Sequence, residues 1–125
     1  MFSYTRRVGS VCALRFTRHY DASPAVVWAA LTEPGSLARW LGPLAGSLDG
    51  CVRASEAGRF LELDWEPPGE QPSVVCFELR ADGAGTVLVL DHRRIDARRG
   101  MRTMRLWERH LEQLDALLGV EVERE

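Results

Sequence analysis

Between Val11 and Tyr20, "VCALRFTRHY" alternates, with Cys12, Leu14 and Phe16 on one side and Ala13, Arg15 and Thr17 on the other. A period of two predicts a strand with one buried face. The period then changes. Ser23 stands before Pro24 as an N-cap followed by the favoured first-turn proline. Val27, Trp28 and Leu31 fall on one face of the helix this begins. Pro34 cannot continue that helix but can open another, with Thr32 as the expected cap. Leu37, Trp40 and Leu41 follow at helical spacing.

Gly42 to Gly58 is small, polar and Gly-rich, with room for one short strand near Cys51 to Ala54. Alternation returns in three runs. The first places Leu61, Leu63 and Trp65 on one face, the second Val75, Phe77 and Leu79, the third Leu88, Leu90 and His92. "EPPGEQP" separates the first two, and "ADGAG", with its Asp-Gly pair, turns the second into the third. An antiparallel meander is expected. The last element is an amphipathic helix: Met101, Met104, Trp107, Leu111, Leu114 and Leu118 recur every three or four residues, and Gly119 ends it. A sheet with one apolar face needs a cover, and this helix supplies a matching stripe. The expected organisation is an arm over 1–10, a domain over 11–119 and an acidic tail over 120–125.

Several motifs in this order resemble a known family. Ala22, Val27, Trp28, Ala30, Leu31, Thr32 and Pro34, then Leu37 and Trp40, match A-x-x-x-x-V-W-x-A-L-T-x-P followed by L-x-x-W. Gly85, Thr86, Leu88, Leu90 and His92 match G-T-x-L-x-L-x-H. The chain is similar to the START-like, helix-grip proteins of the SRPBCC superfamily, in the branch named after the activator of Hsp90 ATPase. The resemblance implies an α+β helix-grip fold: a curved antiparallel sheet wrapped around a long C-terminal helix, with two short helices between the first and second strands. It also implies a cavity for a hydrophobic or amphipathic small molecule. The sheet is expected to be shorter than the family's, because Gly42 to Trp65 is too brief for the usual three segments. A second copy of the chain is the expected cover for the edge this exposes.

Composition narrows the function classes. The 125 residues suit one domain, and a net charge of −2 gives no overall field for nucleic acid or an anionic membrane. Cys12, Cys51 and Cys76 are widely spaced without a CxxC, no apolar run is long enough to span a membrane, and no secretory leader is visible. A cytoplasmic protein with reduced thiols is expected. No metal-ligand spacing occurs, and no cofactor is expected.

The inward-facing residues give the candidate ligand contacts: Trp40, Leu63, Trp65, Phe77, Leu90, His92, Met104 and Trp107. They equally describe a filled core. His92, the titratable group on the apolar face, is either a ligand anchor or general base, or a histidine held by a structural partner. Glu62 and Asp64 share the opposite, solvent face, so no catalytic residue is assigned. "RRIDARRGMRTMR" sets six arginines against Asp96. Arg94, Arg98, Arg99 and Arg102 are therefore candidates for holding an anionic ligand or an acidic partner, or form a solvated basic loop. Three functions are consistent with these features: a small-molecule-binding module without catalysis, a chaperone-cofactor-like interaction module using the Arg-rich end, and a cyclase- or hydrolase-like enzyme on an aromatic substrate.

Overall fold

The computed structural model describes residues 10–42, 52–65 and 71–118. The expected arm up to residue 9, the helix stop at Gly119 and the acidic tail lie outside the described residues, as do Cys51 and most of the "EPPGEQP" turn. The order is β1 (Val11–Tyr20), α1 (Pro24–Thr32), α2 (Pro34–Trp40), β2 (Val52–Glu56), β3 (Phe60–Trp65), β4 (Ser73–Asp82), β5 (Gly85–Asp96), a 3-10 turn (Ala97–Arg99) and α3 (Gly100–Leu118).

The strands form one antiparallel sheet in the order β1-β5-β4-β3-β2. Its register explains the three alternating runs. Phe16, Leu90, Phe77 and Leu61 stand in one cross-strand row, and Leu14, His92, Val75 and Leu63 in the next. These rows face α3, whose Thr103, Trp107, Leu111 and Leu114 are buried. Trp107 meets Phe77 edge-on with ring centroids 6.3 Å apart, and Phe77 meets Trp40 at 6.2 Å. The outer face carries cross-strand ion pairs, including Arg15–Asp91 at 2.7 Å and Arg93 with Glu62.

The buried stripe of α3 is centred one residue away from the expected one. Thr103 takes an inward position, Met104 is half-buried on the flank, and Met101 is 62% exposed. With 3.6 residues per turn, a line through Trp107, Leu111 and Leu114 runs back through Thr103, and the two methionines fall to its side.

α1 starts as expected: Ser23 Oγ accepts from the Val26 N–H at 3.4 Å, with Pro24 in the first turn. The expected Thr32 cap on α2 is not made. Glu33 occupies that position without a side-chain bond, and the Thr32 hydroxyl donates back to the Trp28 carbonyl at 2.8 Å. The Ala30 carbonyl would ordinarily accept from the amide four residues on, but that residue is Pro34, which has no N–H. Trp40 fills the deficit, donating its indole N–H to the Ala30 carbonyl at 2.9 Å. The hinge proline and the tryptophan after it thus work as a pair, and they seal one end of the sheet.

The β4–β5 hairpin is a two-residue turn, Gly83-Ala84, between paired Asp82 and Gly85. Positive φ falls on Gly83 alone of the two, the pattern of a type II′ turn. Gly85 is required for a different reason: a Cβ there would collide with the Tyr20 carbonyl oxygen on β1.

Candidate functional site

At the end of the sheet away from α1 and α2, the last residues of β3 and β5 diverge from the first half of α3. A cleft of about 680 Å³ lies between them. Its buried floor is Trp65, Ser73, His92, Ile95 and Thr103, and its exposed rim includes Arg98, Met101, Arg102, Arg105 and Arg109. Half-buried Asp96, Arg99 and Leu106 complete the wall. A volume of this size falls within the ~300–1,000 Å³ range of small-molecule sites.

The floor is organised around His92, 4% exposed. The Trp107 indole N–H donates to His92 Nδ1 at 2.9 Å, and His92 Nε2 lies 2.8 Å from Ser73 Oγ. An indole N–H can only donate, so Nδ1 must accept, the ring is neutral, and its proton sits on Nε2. Nε2 then donates to Ser73 Oγ, which passes its own proton to the Trp65 carbonyl at 3.3 Å. The relay is complete and runs one way. Burial pushes the His92 pKa down to about 4, consistent with a neutral ring.

The same geometry limits the chemistry. A serine and a histidine 2.8 Å apart at a cleft look like a nucleophile and its base. In a working pair the ring nitrogen facing the hydroxyl must accept, and an acidic partner behind the ring holds that tautomer. Here an indole donor stands behind the ring and fixes the opposite tautomer. Ser73 and His92 are therefore wired as a structural relay.

Trp65 stacks on His92, with centroids 4.8 Å apart at 19°, and meets Trp107 edge-on at 5.2 Å. It is 3% exposed, and its indole N–H has no hydrogen-bond partner among the described residues. A buried donor left in that state costs roughly 1–3 kcal/mol.

A β-bulge positions Ile95 on the floor. On β1 only Ala13 lies between Cys12 and Leu14, whereas their β5 partners, Ile95 and His92, are separated by Arg93 and Arg94. Arg94 takes up the extra residue at φ 66°. Strict alternation from Leu88, Leu90 and His92 would have turned residue 94 inward. The insertion turns Ile95 inward instead and leaves Arg94 outside.

The sequence-based candidates therefore separate. Trp65, His92, Arg98, Arg99 and Arg102 meet at the cleft. Trp40, Leu63, Phe77, Leu90 and Trp107 lie in the packed core, with Met104 on its flank; none of these six is among the described residues lining the cleft. Arg94 borders a separate surface recess with Arg53, Asp64 and Arg93. Sequence reasoning passes over Ser73, Ile95 and Arg109, while Arg105 is one of the six arginines of the basic stretch. The three-residue step from His92 to Ile95, where a strand should take two, was the signal for Ile95. Among the described residues no group of three His, Cys, Asp or Glu could hold a metal ion, and no helix is long and apolar enough to cross a membrane.

Comparison with known proteins bears on the whole domain. Residues 46–119 match the family model described as activator of Hsp90 ATPase homolog 1-like protein. No curated protein matches the chain. CalU16 from Micromonospora echinospora superimposes with a TM-score of 0.74 at 24% identity, covering 94% of this chain and 82% of its own. PFC0360w from Plasmodium falciparum, described as an HSP90 activator, gives 0.71 at 18% identity, covering 86% and 96%. An AHSA1-like protein from Rhizobium etli gives 0.70 at 22% identity, covering 90% and 85%. At these identities the likeness is one of fold.

Proposed function

The chain belongs to the activator of Hsp90 ATPase homolog 1-like family, and from that premise we propose that it binds a small hydrophobic or amphipathic molecule in the cleft at the arginine end, without catalysis of its own. The observation that carries this reading is Trp65: a buried indole on the cleft floor whose N–H has no partner among the described residues. Packed cores pair such donors, as Trp40 and Trp107 do here. The N–H is sealed from solvent, so a ligand acceptor would complete the third only by displacing a neighbouring side chain. The sequence alone favoured contacts deep on the sheet face; the cleft moves the proposed contacts to Trp65, His92 and the arginines.

Native mass spectrometry of the protein from its own cells is the direct test. The expected result is an adduct the size of a small organic molecule, together with a rise in melting temperature when apolar compounds are added. Saturation at a hundred times Kd stabilises by about 2.7 kcal/mol. A clean mass and an unmoved melting curve across a panel of such compounds would overturn the proposal.

A second reading draws on the same arginines. An acidic protein surface could dock on the Arg-rich rim, as the family name and the description of the Plasmodium neighbour suggest. Changing Arg98 and Arg99 to Glu would then abolish partner capture, while filling the cleft would leave capture unchanged. The five exposed residues of β2 form a sheet edge paired on one side with β3, and we propose that a second copy of the chain pairs there. Sedimentation at tens of micromolar, with a strictly monomeric result, would end that proposal.

A further inference from the structure

The ligand's charge can be read from the rim. On the rest of the described surface, arginines are generally paired: Arg15 with Asp91, Arg18 with Asp115, Arg53 with Asp64, Arg59 with Glu56, Arg93 with Glu62. At the cleft, Arg98 is held by both oxygens of Asp96, at 3.1 and 2.8 Å. Asp96 is the one acidic residue among the described lining, against five arginines. Arg102, Arg105 and Arg109 have no hydrogen bond or ion pair among the described residues. Acids are within reach. Glu108 and Glu112 stand three positions after Arg105 and Arg109, a spacing at which helical side chains meet. No ion pair forms with either, and all three arginines border the cleft.

Their placement is costly in two further ways. Positions 102, 105 and 109 are spaced by three and four, so they form one stripe and repel one another. Arg102 also sits in the first turn of α3, where the macrodipole disfavours cations. The chain as a whole is slightly acidic, so general basicity does not explain the stripe. A bound anion would relieve both costs at once, and guanidinium groups are suited to carboxylate and phosphate oxygens.

We propose that the ligand is an amphipathic anion: an apolar body lying over Trp65, Ile95 and Leu106, with a carboxylate or phosphate held by Arg102, Arg105 and Arg109. This rests on the small-molecule reading above and adds the headgroup chemistry and the residues that select it.

Calorimetric titration with three probes of equal chain length, decanoate, decyl phosphate and decanol, tests it on the intact protein. At least one anion should bind roughly tenfold or more tighter than decanol. That advantage should shrink as salt rises from about 0.02 to 0.2 M. A variant with Arg102→Gln, Arg105→Gln and Arg109→Gln should bind the anions like decanol while binding decanol as before; these exposed positions leave the fold intact, which circular dichroism checks. If decanol binds as well as both anions at every salt concentration, the anion proposal falls and the small-molecule reading stands. If none of the three probes binds, both fall. If none binds but a Glu-rich peptide does, and the triple variant loses it, the arginines serve an acidic protein surface and the proposal is overturned in favour of that one.

Discussion

Three buried tryptophans line the path from one end of this molecule to the other, and their indole protons have three different fates. At the sealed end, Trp40 gives its proton to the carbonyl that Pro34 leaves unpaired, and His110 Nδ1 donates to the Trp40 carbonyl at 3.0 Å, tying α2 to α3. In the middle, Trp107 gives its proton to His92 and sets that ring's tautomer. At the cleft, Trp65 gives its proton to no described group. Burial is nearly the same for all three. The difference is polar satisfaction: the donors at the sealed end and in the middle are paired, and the one at the cleft has no partner among the described residues.

Substitution can break this contrast. Trp40→Ala removes the largest fully buried side chain at the sealed end together with its bond to Ala30, and should cost about 3–5 kcal/mol in urea unfolding. Phenylalanine at the three sites is a finer probe, because most of the packing is kept. Trp107→Phe leaves the buried His92 Nδ1 without its donor and should cost about 1–3 kcal/mol. Trp65→Phe deletes a donor that has no described partner, so its cost should be well under that of Trp107→Phe, even though both side chains are buried. Equal losses at both positions would mean that Trp65 is as fully satisfied as Trp107, and the proposed binding floor would lose its main support.

Acid tests the relay at the centre. The folded pKa of His92, about 4, lies below its ordinary value near 6.5 because burial opposes the charge. The unfolded chain therefore takes up this proton first. Stability from the neutral ring is fully present above pH 6.5 and is lost as pH falls from 6.5 towards 4, by up to about 3 kcal/mol. His92→Gln should flatten that slope in denaturation midpoints taken at pH 7 and pH 5. Asp96 acts in a separate window: Arg98 holds its pKa down to about 2, so its contribution is lost only at pH values below the usual carboxylate range. A loss that begins only below pH 4 would assign the acid sensitivity to Asp96 and remove His92 from the account.

Much of the scaffold was legible in advance because its signals are periodic. Alternation identified β1, β3, β4 and β5, and the Ser23–Pro24 pair gave the start of α1. The family motifs supplied the helix-grip architecture, whereas the pairing of β1 with β5 is contained in no local pattern and comes from the structure. The site was less legible, for physical reasons. Apolar alternation says which residues face inward but not whether space is left over them, so Leu63, Phe77 and Leu90 read the same way as Trp65. Ser73 is an ordinary polar residue until β4 places it 2.8 Å from His92. Thr32 has the right chemistry for a cap, but the helix begins one residue later, with Glu33 at the cap position, and the Thr32 hydroxyl donates to the i−4 carbonyl of Trp28. Arg105 and Arg109 look like a solvated helix face until the sheet end opens beneath them.

The smallest effect expected is also the one that tests whether the bulge beside the cleft is strained. Arg94 sits at φ 66°, a region that disfavours side chains with a Cβ by roughly 1–2 kcal/mol, and glycine carries no such penalty. Its side chain is exposed and makes no hydrogen bond or ion pair among the described residues; only its carbonyl is used, accepting from Gln71 Nε2 at 3.1 Å. Arg94→Gly should therefore raise stability, by up to about 1 kcal/mol once the greater freedom of unfolded glycine is subtracted. It should leave decanoate binding unchanged, because Ile95 and His92 keep their places on either side of the bulge. Arg94→Ala retains the Cβ and should not stabilise. If alanine stabilises as much as glycine, the benefit comes from removing charge among Arg93, Arg94 and Arg53, and the positive φ of residue 94 carries no strain that glycine relieves.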